Sequence, residues 1–148
     1  MTVRLLAEAF DPWQEVVRYQ SAQPALAGKF GATTVFVGTL RDFNQGNTVQ
    51  AMTLEHYAPM TEKHLERVSS EASARWPIAD LLVIHRYGDL RPNDPIVCVA
   101  VWSAHRDAAF AACRYVIDEL KTRAPFWKQE QTESGSRWVE QERSDKPG

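Results

Sequence analysis

The segment Ala32–Leu40 is dense in threonine, valine and phenylalanine, and it is apolar at both odd and even positions. β-Branched and aromatic side chains of this kind suit a pleated, half-buried surface, so the segment reads as a strand. Apolar residues on both of its faces imply cover above and below, which suggests a central strand. Gly38 interrupts the run, marking a bulge or a close backbone approach. Ile96–Trp102 is the most apolar strand in the chain. Val3–Ala7, Val49–Tyr57, Ala79–Tyr87, Phe126–Gln131 and Arg137–Glu140 read as further strands, the last two joined around Gly135. Val49–Tyr57 places Met52, Leu54 and His56 on one face. Arg41–Thr48 is a polar stretch rich in turn formers. It reads as the long, mobile connection of a hairpin between Ala32–Leu40 and Val49–Tyr57.

Three helices complete the pattern. Asp11-Pro12 opens the first, with aspartate as N-cap and proline at the first helical position. Trp13, Val16, Val17 and Gln20 give it a stripe. The second spans about Met60–Trp76, between Pro59 and Pro77. Met60, His64, Leu65, Val68 and Ala72 form its apolar stripe, and Glu62, Lys63, Glu66 and Arg67 its wet face. The third, Asp107–Lys121, repeats Ala109, Ala112, Cys113, Val116, Ile117 and Leu120 at helical spacing and ends before Pro125. Gly88 reads as a turn, as does the proline-containing Arg91–Pro95. Strands and helices mix without strict β-α-β alternation, which predicts an α+β fold with a largely antiparallel sheet.

At 148 residues the chain is the size of one domain, expected over residues 1–140, with 141–148 a loose polar tail. The formal net charge is −2, so an anion site must be a local basic cluster rather than a property of the whole surface. Cys98 and Cys113 belong to no C-x-x-C and read as small buried hydrophobes. No run is long and apolar enough to cross a membrane, and no signal-peptide order opens the chain, so the sequence reads as cytoplasmic. The four histidines hold no metal-ligand spacing, and no P-loop, dinucleotide fingerprint or nucleophile elbow exists. No basic stripe interleaves the aromatic residues, which disfavours nucleic acid. No cofactor and no metal are expected.

The chemistry is concentrated in few places. Leu120–Glu130 reads L-K-T-R-A-P-F-W-K-Q-E and holds two lysines seven residues apart. Lys121 continues the apolar stripe of the third helix. Desolvation there would favour the neutral amine, whereas the helix C-terminus favours the cation. A reactive amine and a snorkelling lysine on the last carbonyls both satisfy this spacing. Lys128 falls on a strand with Phe126 and Glu130, where a Lys–Glu surface pair is the plain alternative. His105-Arg106 stands where a buried strand yields to a helix N-terminus, a place that favours a phosphate or carboxylate. A surface pair closing the strand is the other reading. Arg41 follows Ala32–Leu40 directly and suits bidentate phosphate recognition, although a solvated loop arginine fits as well.

Five blocks in order resemble the large, catalytic subunit of molybdopterin synthase. They are G-A-T-T-V-F-V-G-T-L-R-D-F-N-Q-G at Gly31–Gly46, L-E-H-Y-A-P-M at Leu54–Met60 and I-H-R-Y-G-D-L at Ile84–Leu90. H-R-D-A-A-F-A-A-C at His105–Cys113 follows, then L-K-T-R-A-P-F-W-K-Q-E with G-S-R-W-V-E. The resemblance covers about Val3 to Glu140. It implies an α/β hammerhead-type fold with an additional small antiparallel β subdomain. It also implies sulfur transfer from the C-terminal Gly-Gly thiocarboxylate of a small ubiquitin-like subunit to cyclic pyranopterin monophosphate, forming the molybdopterin dithiolene. The implied assembly is a homodimer of large subunits within a heterotetramer. The implied catalytic residues are Lys121 and Lys128. Arg41, His105 and Arg106 would bind the substrate anion, Phe36 would line the site, and each pocket would draw on both protomers. Gln129 departs from relatives that carry a second basic residue there. A docking module for a ubiquitin-like partner, without chemistry of its own, is the competing reading. A phosphate-ester hydrolase would need a metal cluster or paired carboxylates that the sequence lacks.

Overall fold

The computed structural model describes residues 1–44, 47–56, 58–123, 126–132 and 135–139; at a few of these, Lys128 among them, only the backbone is described. The expected tail at 141–148 lies outside the described residues, as do the tip of the 41–48 stretch, Tyr57 and Pro125.

Nine strands and three α-helices are seen among the described residues. β1 (Thr2–Leu6), β5 (Ile78–Arg86), β7 (Pro95–Ser103) and β2 (Ala32–Thr39) form one sheet in the order β1-β5-β7-β2. The β1–β5 pair is parallel, and β5–β7 and β7–β2 are antiparallel. The second sheet runs β3 (Phe43–Asn44), β4 (Asn47–His56), β8 (Phe126–Thr132), β9 (Gly135–Val139), with β6 (Gly88–Leu90) also paired to β4. All of its pairs are antiparallel. The α+β expectation therefore holds, and the second sheet is the added β subdomain.

The helices are α1 (Pro12–Ala22), α2 (Ala58–Arg75) and α3 (Arg106–Arg123). Two apolar layers cover the first sheet. On one side Leu65, Val68 and Ala72 of α2 meet Ala112, Cys113, Val116 and Leu120 of α3 over Leu81, Val83, Val97, Val99 and Val101. On the other, Val16 of α1 and Leu26 pack on Leu82, Ile84, Cys98, Ala100 and Trp102. Alternate residues of β5 and β7 thus serve opposite cores, which is why both strands read as continuous apolar runs. A third cluster, Leu40, Met52, Leu54 and Leu90, ties the end of β2 to the second sheet.

Several expectations need correction. β2 is an edge strand, and β7 lies inside the sheet. Apolarity on both faces of β2 reports the layers above and below it, not a neighbour on each side. β2 and β4 form no hairpin with each other; they lie in different sheets, and within 41–48 Phe43 and Asn44 instead pair with Thr48 and Asn47. Gly88, read as a turn with φ +89°, opens the strand β6. In α1 only Val16 of the proposed apolar stripe is buried, while Trp13 and Val17 are 60% and 64% exposed. The helix meets the sheet along Pro12, Val16 and Tyr19 instead, with Gln20 Oε1 accepting from Trp102 Nε1 at 3.0 Å. Met60 is exposed because the first turn of α2 overhangs the layer that Leu65 and Val68 enter.

Other readings match. Asp11 Oδ1 accepts from the main-chain N–H of Trp13 and Gln14, capping α1 with Pro12 at its first position. Gly38 is both a register shift and a close approach, since a Cβ there would lie 2.8 Å from Val97 Cγ1. Cys98 and Cys113 are buried and free. Among the described residues no helix is long and apolar enough to cross a membrane.

Candidate functional site

The strand register fixes where each proposed residue sits. β2 runs antiparallel to β7, with Ala32 opposite Ser103 and Thr39 opposite Pro95. The chain leaves β7 at Ser103, turns through 104–105 and returns as α3, packed on β7 and β2. Cys113 Sγ lies 3.8 Å from the Val99 carbonyl, so the middle of α3 crosses the middle of the strands. The start of α3 therefore sits at the Ser103 end of the sheet, and its last turns sit at the Pro95 end.

Arg41 and Lys121 share that second end. Arg41 follows Leu40 and is exposed; Lys121 stands in the last turn of α3 and is half-buried. Lys121 is thus neither sealed in the core nor loose in solvent, as its place beside Leu120 and Ile117 on the stripe requires. Lys128 is the third residue of β8, opposite Leu54 on β4 and Val139 on β9. Its side chain lies outside the described features. Phe36 sits mid-strand on β2, opposite Val99, and packs against the α3 side of the core. A groove of about 480 Å³ opens there between β2 and α3, lined by Phe36, Phe110, Cys113, Arg114 and Ile117.

The residue before Arg41 has a defined seat. Beyond Thr39 the regular ladder to β7 stops at Pro95, which has no N–H to give. Leu40 bonds instead to the turn before β7. Its N–H donates to the Asp94 carbonyl at 3.0 Å, and its carbonyl accepts from Asn93 N–H at 2.9 Å. Asn93 holds φ +77°, a left-handed conformation that asparagine tolerates better than most residues. Sequence reasoning saw a proline-rich turn here but not that it holds Arg41's neighbour.

His105 and Arg106 lie at the other end. Both are exposed where β7 gives way to α3. The Ser103 hydroxyl donates to the His105 carbonyl, and Gly31 N–H donates to the Ser103 carbonyl at 2.9 Å. A Cβ on Gly31 would lie 2.6 Å from the Ala104 carbonyl oxygen, so only glycine fits beneath this turn. From Arg106 to Lys121 is fifteen residues along one helix, or roughly 22 Å at about 1.5 Å per residue. One chain therefore sets Arg41 and Lys121 toward one end of the layer and His105 and Arg106 at the other.

Comparison with known proteins gives the same answer as the motifs. The family model described as MoaE protein matches residues 7–123. The chain is 52% identical over 145 residues to the molybdopterin synthase catalytic subunit of Pseudomonas aeruginosa, covering 98% of this chain and 94% of that one. Among solved structures, the molybdopterin biosynthesis MoaE protein from Burkholderia ambifaria MC40-6 superposes with a TM-score of 0.79 at 47% identity, covering 98% of this chain and 92% of that one. Molybdopterin synthase from Staphylococcus aureus does so with a TM-score of 0.79 at 32% identity, over 92% and 95% of the two chains. Matched along most of its length by sequence and by fold, the chain belongs to the MoaE family, that of the catalytic subunits of molybdopterin synthase.

Proposed function

We infer that this chain is the sulfur-transferring subunit of a molybdopterin synthase. Its reaction moves sulfur from the thiocarboxylate at the Gly-Gly end of a small ubiquitin-like subunit onto cyclic pyranopterin monophosphate. Each carrier tail brings one sulfur, so two tails are consumed per dithiolene. The observation that supports this reading is the placement of Arg41 and Lys121 toward the same end of the β2–α3 layer, on a chain of net charge −2 that belongs to this family. Tail and substrate are both anions, and a local cationic cluster is what an acidic chain needs to hold them.

Lys121 is assigned as the nucleophile or acid–base group nearest the acyl sulfur. Lys128 steers the tail or stabilises charge that develops during transfer. Arg41, His105 and Arg106 bind the phosphate, and Phe36 lines the site. His105 and Arg106 serve a second copy of the chain. An edge strand β2 set antiparallel against the β2 of another protomer brings the start of one α3 beside the end of the other. A homodimer with a small subunit bound at each end follows, acting in the cytoplasm.

The test is to mix the purified chain with a thiocarboxylated small subunit and the cyclic substrate, and to assay dithiolene. Lys121→Ala and Lys128→Ala should keep the native thermal midpoint and lose at least about 100-fold in product formation, the scale of a lost acid–base or electrostatic group. Stable complex without turnover by the parent chain would favour a docking module instead. Full activity in Lys121→Ala would remove that residue from the mechanism.

A further inference from the structure

Arg86, the last residue of β5, carries a guanidinium that is only 10% exposed. Nη1 donates to Asp94 Oδ2 at 3.2 Å, and Nη2 donates to the Asp89 carbonyl at 3.0 Å. Burying an arginine is costly unless its charge is paired, and the native arrangement supplies one carboxylate. That carboxylate does two further things. Asp94 Oδ2 accepts from Arg91 N–H at 2.9 Å, and the Asp94 main-chain N–H closes the same turn onto the Arg91 carbonyl at 3.0 Å. The Asp94 carbonyl and the Asn93 N–H then hold Leu40 on both sides of its peptide. The connection runs without a gap from buried cation to carboxylate, from carboxylate to turn, and from turn to the residue before Arg41.

Leu40 already has an apolar seat among Met52, Leu54 and Leu90. The polar chain adds direction rather than burial. It replaces the ladder that Pro95 interrupts and fixes the backbone as it leaves β2. We propose that Arg86 is a positioning residue for Arg41: through Asp94 it locks the 91–94 turn that holds Leu40, and so sets where Arg41 presents its charge to the substrate anion. This rests on the reading of Arg41 as an anion-binding residue.

The experiment is a cycle of Arg41→Ala, Arg86→Gln and the double variant in the assembled synthase, with KM for the cyclic substrate and kcat measured separately. Amide hydrogen exchange at Leu40 is followed in the same proteins. Arg86→Gln should raise KM about tenfold with a smaller change in kcat, the scale of a lost hydrogen bond to a charged group. In the Arg41→Ala background it should add less than about twofold, since residues acting as one unit do not add. The Leu40 amide should exchange at least about tenfold faster once the turn loosens. Should Arg86→Gln fail to fold, Asp94→Asn keeps the shape, weakens the ion pair and should reproduce the pattern at reduced size. A lowered thermal midpoint with unchanged KM and unchanged Leu40 exchange would overturn the proposal. So would a full KM effect added on top of Arg41→Ala. If Arg41→Ala itself leaves KM unchanged while Leu40 exchange responds to Arg86→Gln, the anchor stands and the anion reading of Arg41 fails, taking the positioning role with it.

Discussion

Cys113 is a nucleophilic residue beside Phe36 that the chemistry leaves unused, and its surroundings explain why. Burial pushes its thiol up to about 11, with a main-chain contact from Phe36 pulling only slightly the other way. Burial, with the Cys113 sulfur and Glu15 nearby, pushes Cys98 up to about 12. Thiolate is the reactive form, so neither residue presents it near neutral pH. A thiol reagent at pH 8 should label neither cysteine in the native protein and both after denaturation; labelling of the native chain at Cys113 would show that its thiol is reached from the groove and ionises there. Gly31 makes the opposite case, a residue with no side chain whose absence of one matters. Gly31→Ala must push the Ala104 carbonyl aside, at a cost of about 1–3 kcal/mol for overpacking. The displacement falls next to His105 and Arg106. It should therefore weaken substrate binding as well as lower the thermal midpoint. A drop in stability with unchanged KM would mean that this turn does not serve the anion-binding role proposed for His105 and Arg106.

Elements differ in how far their sequence disclosed them. The N-cap of α1, the approximate limits of α3 and the strands β5 and β7 were legible because local chemistry decides them: Asp11 with Pro12, a proline boundary, or an unbroken apolar run. The pairing of β8 with β9 around Gly135 was legible too, but the partner of β2 was not, because β2 and β4 are close in sequence yet answer to different sheets, and only long-range packing assigns them. The wrong stripe on α1 has the same origin, since Val16 and Val17 are equally apolar and the sheet chooses between them. Helix α2 shows an element-scale property that spacing alone left ambiguous. His64 lies on its apolar stripe and is buried at the contact with α3. Burial, then the neighbouring Arg67, hold its pKa below the ordinary 6.5, against the opposing pull of Glu119 and Glu71. Arg67 Nη2 lies 3.0 Å from His64 Nδ1, an arrangement that suits the neutral ring. The unfolded chain then binds a proton that the folded one refuses, so stability rises with pH in this window. His64 contributes fully above about pH 6.5, and that contribution is lost as pH falls below it toward the lowered folded value. Thermal midpoints taken between pH 7.5 and 5 should decline less steeply in a folded His64→Gln variant; equal slopes would assign the acid sensitivity to other groups.

At the scale of the whole molecule, the candidate site was legible as a set of residues and illegible as a place. Motif order named Arg41, His105, Arg106, Lys121 and Lys128, but only the register of β2 on β7 and the return of α3 divide the first four between two ends, with Lys128 on β8 of the second sheet. A span of roughly 22 Å on one rigid helix cannot be closed within a chain without breaking that helix. If all of these residues meet one substrate, two copies must supply them, and that claim has a test no single-chain site can pass. A protomer carrying His105→Ala with Arg106→Ala lacks one half of each site; a protomer carrying Lys121→Ala lacks the other. Each variant alone should be inactive. Unfolded and refolded together in equal amounts, about half of the dimers should be mixed. Each mixed dimer holds one site with both halves intact and one with neither. Activity should therefore recover to about a quarter of the parent level by this counting. A site built within one chain would recover nothing, because every chain in the mixture still carries a defect. Native mass measurement of the mixture establishes that mixed dimers have formed. Activity kept by the His105→Ala with Arg106→Ala variant alone would return that pair to the surface-pair reading and leave Lys121 and Arg41 as the core of a single-chain site, whereas mixed dimers present with no activity would overturn the shared site.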